Sequence, residues 1–314
     1  MSFVPNILNS IGNTPIVQLQ RIVPRGSARV LAKLEWTNPT GSMKDRMALA
    51  AIEAAEAKGW LTRGGTAVEY TAGTTGVSLA LVCAAKGYRL HIVSSDAFSE
   101  EKIRTMKAFG AELTLVPSDN KKINEALIKQ MIATAERVSV QPGHWWVDQL
   151  NNHDAINGYL PLGEEIWQQT AGDVDAFVQA VATAHSIHGV ARALRKHKAN
   201  IHVAAVEPTE SAVLSGGRTG SHKIEGIGIG FIPPLWEPAE VDEILTVSTE
   251  DAQVMARRLA REEALFAGTS SGANVVAALR VAERLGSDAT VVTIIVDSGL
   301  RYLSTDLYSR FTQE

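Results

Sequence analysis

Residues 38–50 read NPTGSMKDRMALA. Pro39 and Gly41 punctuate the chain, and a run of helix formers follows. Ser42 with Asp45 three residues later fits a capping box, so Ser42 is predicted as the N-cap of a helix that runs through MALAAIEAAEAKG and closes at Gly59. Lys44 then falls in the first turn. A helix N-terminus already carries partial positive charge, so the site disfavours an ammonium and pushes Lys44 towards its neutral, nucleophilic amine. For an arbitrary lysine the bland reading, a surface side chain with a solvated tip, is the better one. Here the small residues before it imply tight backbone packing that a surface helix would not need.

Outward from this helix the chain alternates short apolar runs with helical patterns. RVLAKLEW reads as a strand, TAVEYT as a strand followed by the helix VSLALVCAAKG, and RLHIVSS as a strand followed by SEEKIRTMKAFG. ELTLVP, DAFVQAV, IHVAAVEP and TVVTIIV read as further strands. EDAQVMARRLAREE and ANVVAALRVAERLG read as helices. Glycines at 59, 87 and 110 end helices, and the alternation predicts parallel sheets wrapped by helices. Strands gather on both sides of about residue 150, which predicts two α/β lobes with a cleft between them. The glycine-rich segment LSGGRTGSHKIEGIGIGFIPP, with no helical pattern, reads as a long active-site or interface loop.

Composition excludes several classes. Of 314 residues, 45% are hydrophobic and 20% charged, as in an ordinary globular protein, and the net charge of −4 gives no electrostatic reason for nucleic acid or an anionic membrane as partner. No apolar run approaches the roughly 20 residues of a membrane span. The first residues lack the basic start and apolar core of a secretory signal, and a cytoplasmic setting is expected. Cys83, the single cysteine, reads as a buried helix residue, and His144, His153 and His188 show no metal-ligand spacing. Trp145-Trp146 reads as core or dimer contact.

The chemistry is expected where strands end in small polar loops before helices: EYT-AGTTG, QAV-ATAHS, FAG-TSSGAN and IIV-DSG. Each loop alone reads as a cap for its own helix. Four in one chain point to a ligand carrying phosphate, carboxylate or both.

NPTGSMKDR resembles the lysine motif of cysteine synthases, the O-acetylserine sulfhydrylase branch (related to cystathionine β-synthase) of fold-type II pyridoxal-phosphate enzymes. The resemblance runs almost end to end, through NILNSIGNTPIVQLQRI, GGTAVEYTAGTTGVSLA, KAFGAELTLVP, VEPTESAVLSGGRTGSHKIEGIGIGFIPP, GTSSGAN and VDSGLRYLST. It implies an α/β protein of two doubly wound, mostly parallel sheet domains, tryptophan synthase β-like. The smaller N-terminal domain is expected over 1–12 and 36–150, and the larger C-terminal domain over 13–35 and 151–314. By resemblance, Lys44 joins the pyridoxal 5′-phosphate cofactor and then moves the substrate α-proton. Ser270 hydrogen-bonds the pyridine nitrogen, a neutral partner that suits β-elimination. Thr71, Ala72, Gly73 and Thr75 form the loop for the substrate carboxylate, which Gln149 also reaches. Gly226, Gly228 and Gly230 flank the active site. The resemblance further implies a homodimer, an amino-acid substrate and, as a partner, the C-terminal tail of serine acetyltransferase. GIGIG is not a dinucleotide fingerprint, because the prolines of FIPP cannot open the helix that fingerprint requires.

Two loops depart from the family pattern. The phosphate cup, G-T-G-G-T in the family, is here Ala182-Thr183-Ala184-His185-Ser186. Thr183 and Ser186 keep hydroxyls, the glycines are gone, and His185 adds a ring able either to donate to a phosphate or to occupy its place. The substrate loop, T-S-G-N-T-G in the family, is here Thr71-Ala72-Gly73-Thr74-Thr75-Gly76. Ala72 removes a hydroxyl for the carboxylate, and Thr74 replaces the asparagine that meets the cofactor ring. Lysine and ring-nitrogen serine persist while both gripping loops change, which points to an enzyme of β-elimination or β-replacement with altered substrate recognition. O-acetylserine plus sulfide is the first candidate pair. The alternative is a non-catalytic member that binds a protein tail or small anion.

Overall fold

The computed structural model describes residues 3–120 and 125–309. Among these, the strands in chain order are β1 (Ile16–Gln18), β2 (Arg29–Leu34), β3 (Thr66–Tyr70), β4 (Arg89–Ser95), β5 (Glu112–Val116), β6 (His144–Trp146), β7 (Ala176–Ala180), β8 (His202–Pro208), β9 (Glu243–Val247) and β10 (Thr290–Ile295). The helices are α1 (Lys44–Ala57), α2 (Thr74–Lys86), α3 (Glu100–Ala108), α4 (Glu125–Ser139), α5 (Asp154–Asn157), α6 (Leu160–Gln169), α7 (His185–His197), α8 (Thr249–Glu262), α9 (Thr269–Leu285) and α10 (Asp306–Ser309). RVLAKLEW is a strand as far as Leu34, after which Glu35–Thr37 tightens into a 3-10 turn. The glycine-rich segment 214–234 forms neither helix nor strand.

The chain divides into two compact units, Met1–Ile11 with Asn38–Gly158 and Gly12–Thr37 with Tyr159–Glu314. The sequence reading placed these boundaries after residues 12, 35 and 150. Helix α5 is the reason residues 151–158 group with the first unit. It packs on α1, Asp154 pairs with Lys58 at 2.5 Å, and Gly158 lies so close to the Arg46 backbone that an added Cβ would strike the Arg46 carbonyl.

The first unit has a parallel sheet in the order β5-β4-β3-β6. The second has the order β1-β2-β10-β7-β8-β9, parallel except for β1 on β2. Strands β3, β7 and β10 are buried at every residue, as in sheets covered on both faces. Each sheet reverses its strand order once. In the first unit the chain steps outward through β3, β4 and β5, then returns to place β6 on the other side of β3. In the second it steps through β7, β8 and β9, then returns to place β10 on the other side of β7. Such a reversal leaves a crevice at the carboxyl ends of the strands, where ligands of α/β proteins bind.

Candidate active site

Loop 71–76 with Gln149 lies at the reversal of the first sheet, and loop 182–186 follows β7 at the reversal of the second. In the first unit Lys44 is the first residue of α1 and is half-buried. The predicted capping box does not close as expected. Ser42 Oγ accepts from the Lys44 N–H at 3.2 Å, but the Asp45 carboxylate reaches past it. It accepts from the Thr40 N–H at 2.8 Å and the Thr40 hydroxyl at 2.5 Å. Met43 is already helical at φ −61°, so the acid braces the turn two residues earlier than a capping box would.

The loop 71–76 links β3 to α2. Thr71 accepts from the Gly73 N–H at 2.9 Å, and its carbonyl accepts from Ser94 Oγ at 2.9 Å. Gly73 caps α2 at φ 130°, and an added Cβ would lie 2.5 Å from Lys102 Cδ. A side chain there is excluded by both backbone and space. Thr71 and Thr75 are buried, Thr74 is half-buried, and Ala72 exposes its methyl. Thr75 Oγ1 donates to Gln149 Oε1 at 2.9 Å, and Gln149 Nε2 donates to the Tyr70 carbonyl at 2.8 Å. These two bonds fix which end of the carboxamide is nitrogen.

Sequence reasoning missed what lies beneath. Glu69, fully buried on β3, accepts from the Tyr70 N–H at 2.8 Å through one oxygen and from the Gln149 N–H at 2.9 Å through the other. Burial pushes its carboxyl up to about 8 against the pull of these two N–H groups, and neighbouring Asp148 adds to the rise. The signal was present in the sequence, because a lone acid inside the apolar run TAVEYT has to find donors. Lys102, 3% exposed with its methylenes against Gly73, was missed too. Cys83 is buried on α2 as expected, and burial pushes its thiol up to about 12, so it is no nucleophile.

In the second unit the loop 182–186 connects β7 to α7. Ala184 adopts φ 69°, ψ −7°, the left-handed turn for which a glycine is the ordinary choice. Ala182 and His185 have negative φ. His185 is the first residue of α7 and is buried. Its Nδ1 lies 2.8 Å from Thr183 Oγ1, so ring and hydroxyl hold each other. Ser186 is buried beside them. The Gly228 N–H donates to the Val181 carbonyl at 3.0 Å, and its φ of 59° leaves no room for a Cβ, which would lie 2.5 Å from Pro208 Cγ. Gly226 and Gly230 also have positive φ. Ser270 is buried in the first turn of α9. Thr269 Oγ1 accepts from the Glu225 N–H at 3.1 Å, which ties the glycine segment to that helix end. Asn274, in the second turn of α9, has a role that the sequence reading missed. It bridges β7 and β10, accepting from the Ala180 N–H at 2.7 Å and donating to the Ile294 carbonyl at 2.8 Å.

Among the described residues, no cluster of His, Cys, Asp and Glu is placed to hold a metal, and no helix is long and apolar enough to cross a membrane.

Two parallel sheets, each with polar loops at its strand reversal and a lysine opening one of the flanking helices, define an α/β enzyme of small anionic ligands. The model of the pyridoxal-phosphate dependent enzyme family matches residues 7–297, and the chain belongs to that family. A cysteine synthase of Staphylococcus aureus is 44% identical over 308 residues, which cover 98% of this chain and 97% of that protein. A cysteine synthase structure from Entamoeba histolytica superposes with a TM-score of 0.91 at 39% identity, covering 98% of this chain and 91% of that one. The structure of an O-ureido-L-serine synthase gives 0.91 at 35% identity, covering 100% and 98%. The architecture is therefore the tryptophan synthase β-like one of fold-type II, and the chain is a cysteine synthase-like enzyme with pyridoxal phosphate as cofactor. The non-catalytic reading falls with that result.

The residues present fit that cofactor's phosphate. Ala184 keeps the left-handed turn without glycine, and α7 directs the N–H groups of its first turn to the loop, with two buried hydroxyls alongside.

Proposed function

We propose that the enzyme carries out β-elimination or β-replacement on a serine- or cysteine-like amino acid, with O-acetyl-L-serine and sulfide as the first pair to test. The observation that carries this reading is the polar network at the β3–β6 reversal, in which the Gln149 carboxamide keeps its second Nε2–H for an amino-acid carboxylate on the same unit as Lys44. When bound, pyridoxal phosphate supplies an electron sink that acidifies the Cα–H of an amino acid.

The chain's own residues do the rest. Lys44 Nζ would hold the cofactor and would move the proton at the substrate Cα. The N–H groups that open α7, with Thr183, Ala184, His185 and Ser186, hold the phosphate. Ser270 Oγ would be the neutral partner of the pyridine nitrogen, and Thr74 would take the place of the family's asparagine towards the ring hydroxyl. The loop of Thr71, Gly73 and Thr75 would hold the substrate carboxylate with the N–H groups that open α2, together with the second Nε2–H of Gln149, and Gly228 would line the substrate. Ala72 has no hydroxyl where the family presents one, so recognition would lean on Gln149. A second copy of the chain and the tail of a serine acetyltransferase are the partners this reading carries with it.

The test is the absorption spectrum of protein purified with added pyridoxal phosphate, beside Lys44→Ala. A band of bound cofactor that depends on Lys44 and responds to added O-acetyl-L-serine is expected, with loss of at least a thousandfold in turnover for the variant. A spectrum identical in the two proteins would overturn the reading.

A further inference from the structure

Gln149 follows the point where β6 leaves the sheet. The ladder between β3 and β6 pairs Val68 with Trp146, and the Val147 N–H still reaches the Val68 carbonyl at 2.9 Å. Asp148 then turns left-handed at φ 48° and the strands part. Beyond that turn the N–H groups of Tyr70 and Gln149 have lost the carbonyls a ladder would offer. A buried N–H without an acceptor is costly, so something at this position must accept twice. Glu69 does, with one oxygen for each.

The consequence runs outward to the loop. With its main chain pinned, Gln149 spends one Nε2 proton on the Tyr70 carbonyl and its Oε1 on the Thr75 hydroxyl. Its second Nε2–H is left as a donor, and Thr75 is left with an acceptor oxygen. Both Glu69 oxygens are turned onto backbone N–H groups, away from the loop that has to receive an anion.

We propose that Glu69 is a positioning residue for amino-acid binding: it spans the β3–β6 reversal, fixes the Gln149 carboxamide and, through it, the Thr75 hydroxyl. The proposal rests on the reading of loop 71–76 and Gln149 as the amino-acid site.

The test is a double-mutant cycle on the cofactor-loaded enzyme with Glu69→Gln, Gln149→Ala and the pair, read as KM and kcat for O-acetyl-L-serine with sulfide. Glu69→Gln replaces an acceptor by a donor against one of the two N–H groups. It should raise KM at least tenfold, leave kcat within threefold and keep the cofactor band. In the Gln149→Ala background the same substitution should change KM less than twofold, because residues acting through one another are not additive. An unchanged KM, or an equal rise in both backgrounds, overturns the proposal. Should Glu69→Gln fail to fold, Glu69→Asp, which keeps the carboxyl and shortens the reach, carries the same cycle. An unsubstituted enzyme that holds its cofactor but responds to none of O-acetyl-L-serine, L-serine and L-cysteine overturns the site reading, and this proposal with it.

Discussion

The two units solve one problem with different chemistry. Where β3 and β6 part, two N–H groups are left, and the two oxygens of the Glu69 carboxyl take one each. Where β7 and β10 part, one N–H and one carbonyl are left, and the carboxamide of Asn274 answers each with its complement. Glu69 comes from the strand itself, whereas Asn274 reaches in from α9. The backbone groups stranded at a reversal thus select the bridging side chain. One bridge is ionisable and the other is not, so the two units should answer pH differently although their folds are alike.

The largest effect is expected at the neutral bridge. Asn274→Ala leaves the Ala180 N–H and the Ile294 carbonyl buried and unpaired, at about 1–3 kcal/mol each. Chemical denaturation should show the second unit weakened by about 2–6 kcal/mol. Asn274→Asp sharpens the contrast. It keeps the acceptor for Ala180 but turns an oxygen on the Ile294 carbonyl, so its loss should equal or exceed that of alanine and should grow as pH rises. A loss below about 1 kcal/mol in both variants would show that the bridge is not what holds the parted strands.

At the charged bridge Glu69→Gln mismatches one N–H, at about 1–3 kcal/mol. The pH response distinguishes it further. Glu69 titrates at about 8 when folded, above its ordinary 4.5, so between these values the folded chain holds a proton that the unfolded chain has released. Stability from this group is therefore full below about 4.5, falls as pH rises towards about 8, and is level beyond. The urea midpoint of the first unit should drop across that range and flatten in Glu69→Gln. A midpoint equally steep in the variant would place the dependence elsewhere.

The outlines of both units were legible because buried parallel strands read as apolar runs and because Gly59, Gly87 and Gly110 adopt the positive φ that ends a helix. What escaped was short or polar. Strand β6 is the three residues His144–Trp146, and its pairing with β3 comes from a fold-level return that no local pattern announces. Helix α6, with Pro161 at its start, gave no apolar run to notice. The place of Lys44 at a helix start was readable. A lone acid in TAVEYT showed only that Glu69 needs donors, and Asn274 showed not even that, because the partners that give them their roles lie 80 and 20 to 94 residues away. The capping box failed for a related reason: Asp45 found the N–H and hydroxyl of Thr40, which a pattern spanning Ser42 to Asp45 leaves out.

The smallest expected effect bears on the loop that departs most from its family. Ala184 holds a left-handed turn, and Ala184→Gly should relieve about 1–2 kcal/mol of backbone strain. Two terms oppose this. Glycine gives the unfolded chain more freedom, worth about 0.4–1 kcal/mol. It also removes a methyl that is buried at 3% exposure, worth about 0.8 kcal/mol. The terms nearly cancel, so Ala184→Gly should shift stability by less than about 1 kcal/mol in either direction and leave the Lys44-dependent cofactor band in place. That cancellation is how an alanine can stand where glycine is the ordinary choice, with the buried methyl compensating the strained φ. A gain of 2 kcal/mol or more would mean that the methyl packs against little. The turn would then be held by the Thr183–His185 contact at a strain the second unit has to absorb, as the neutral bridge of Asn274 does not require.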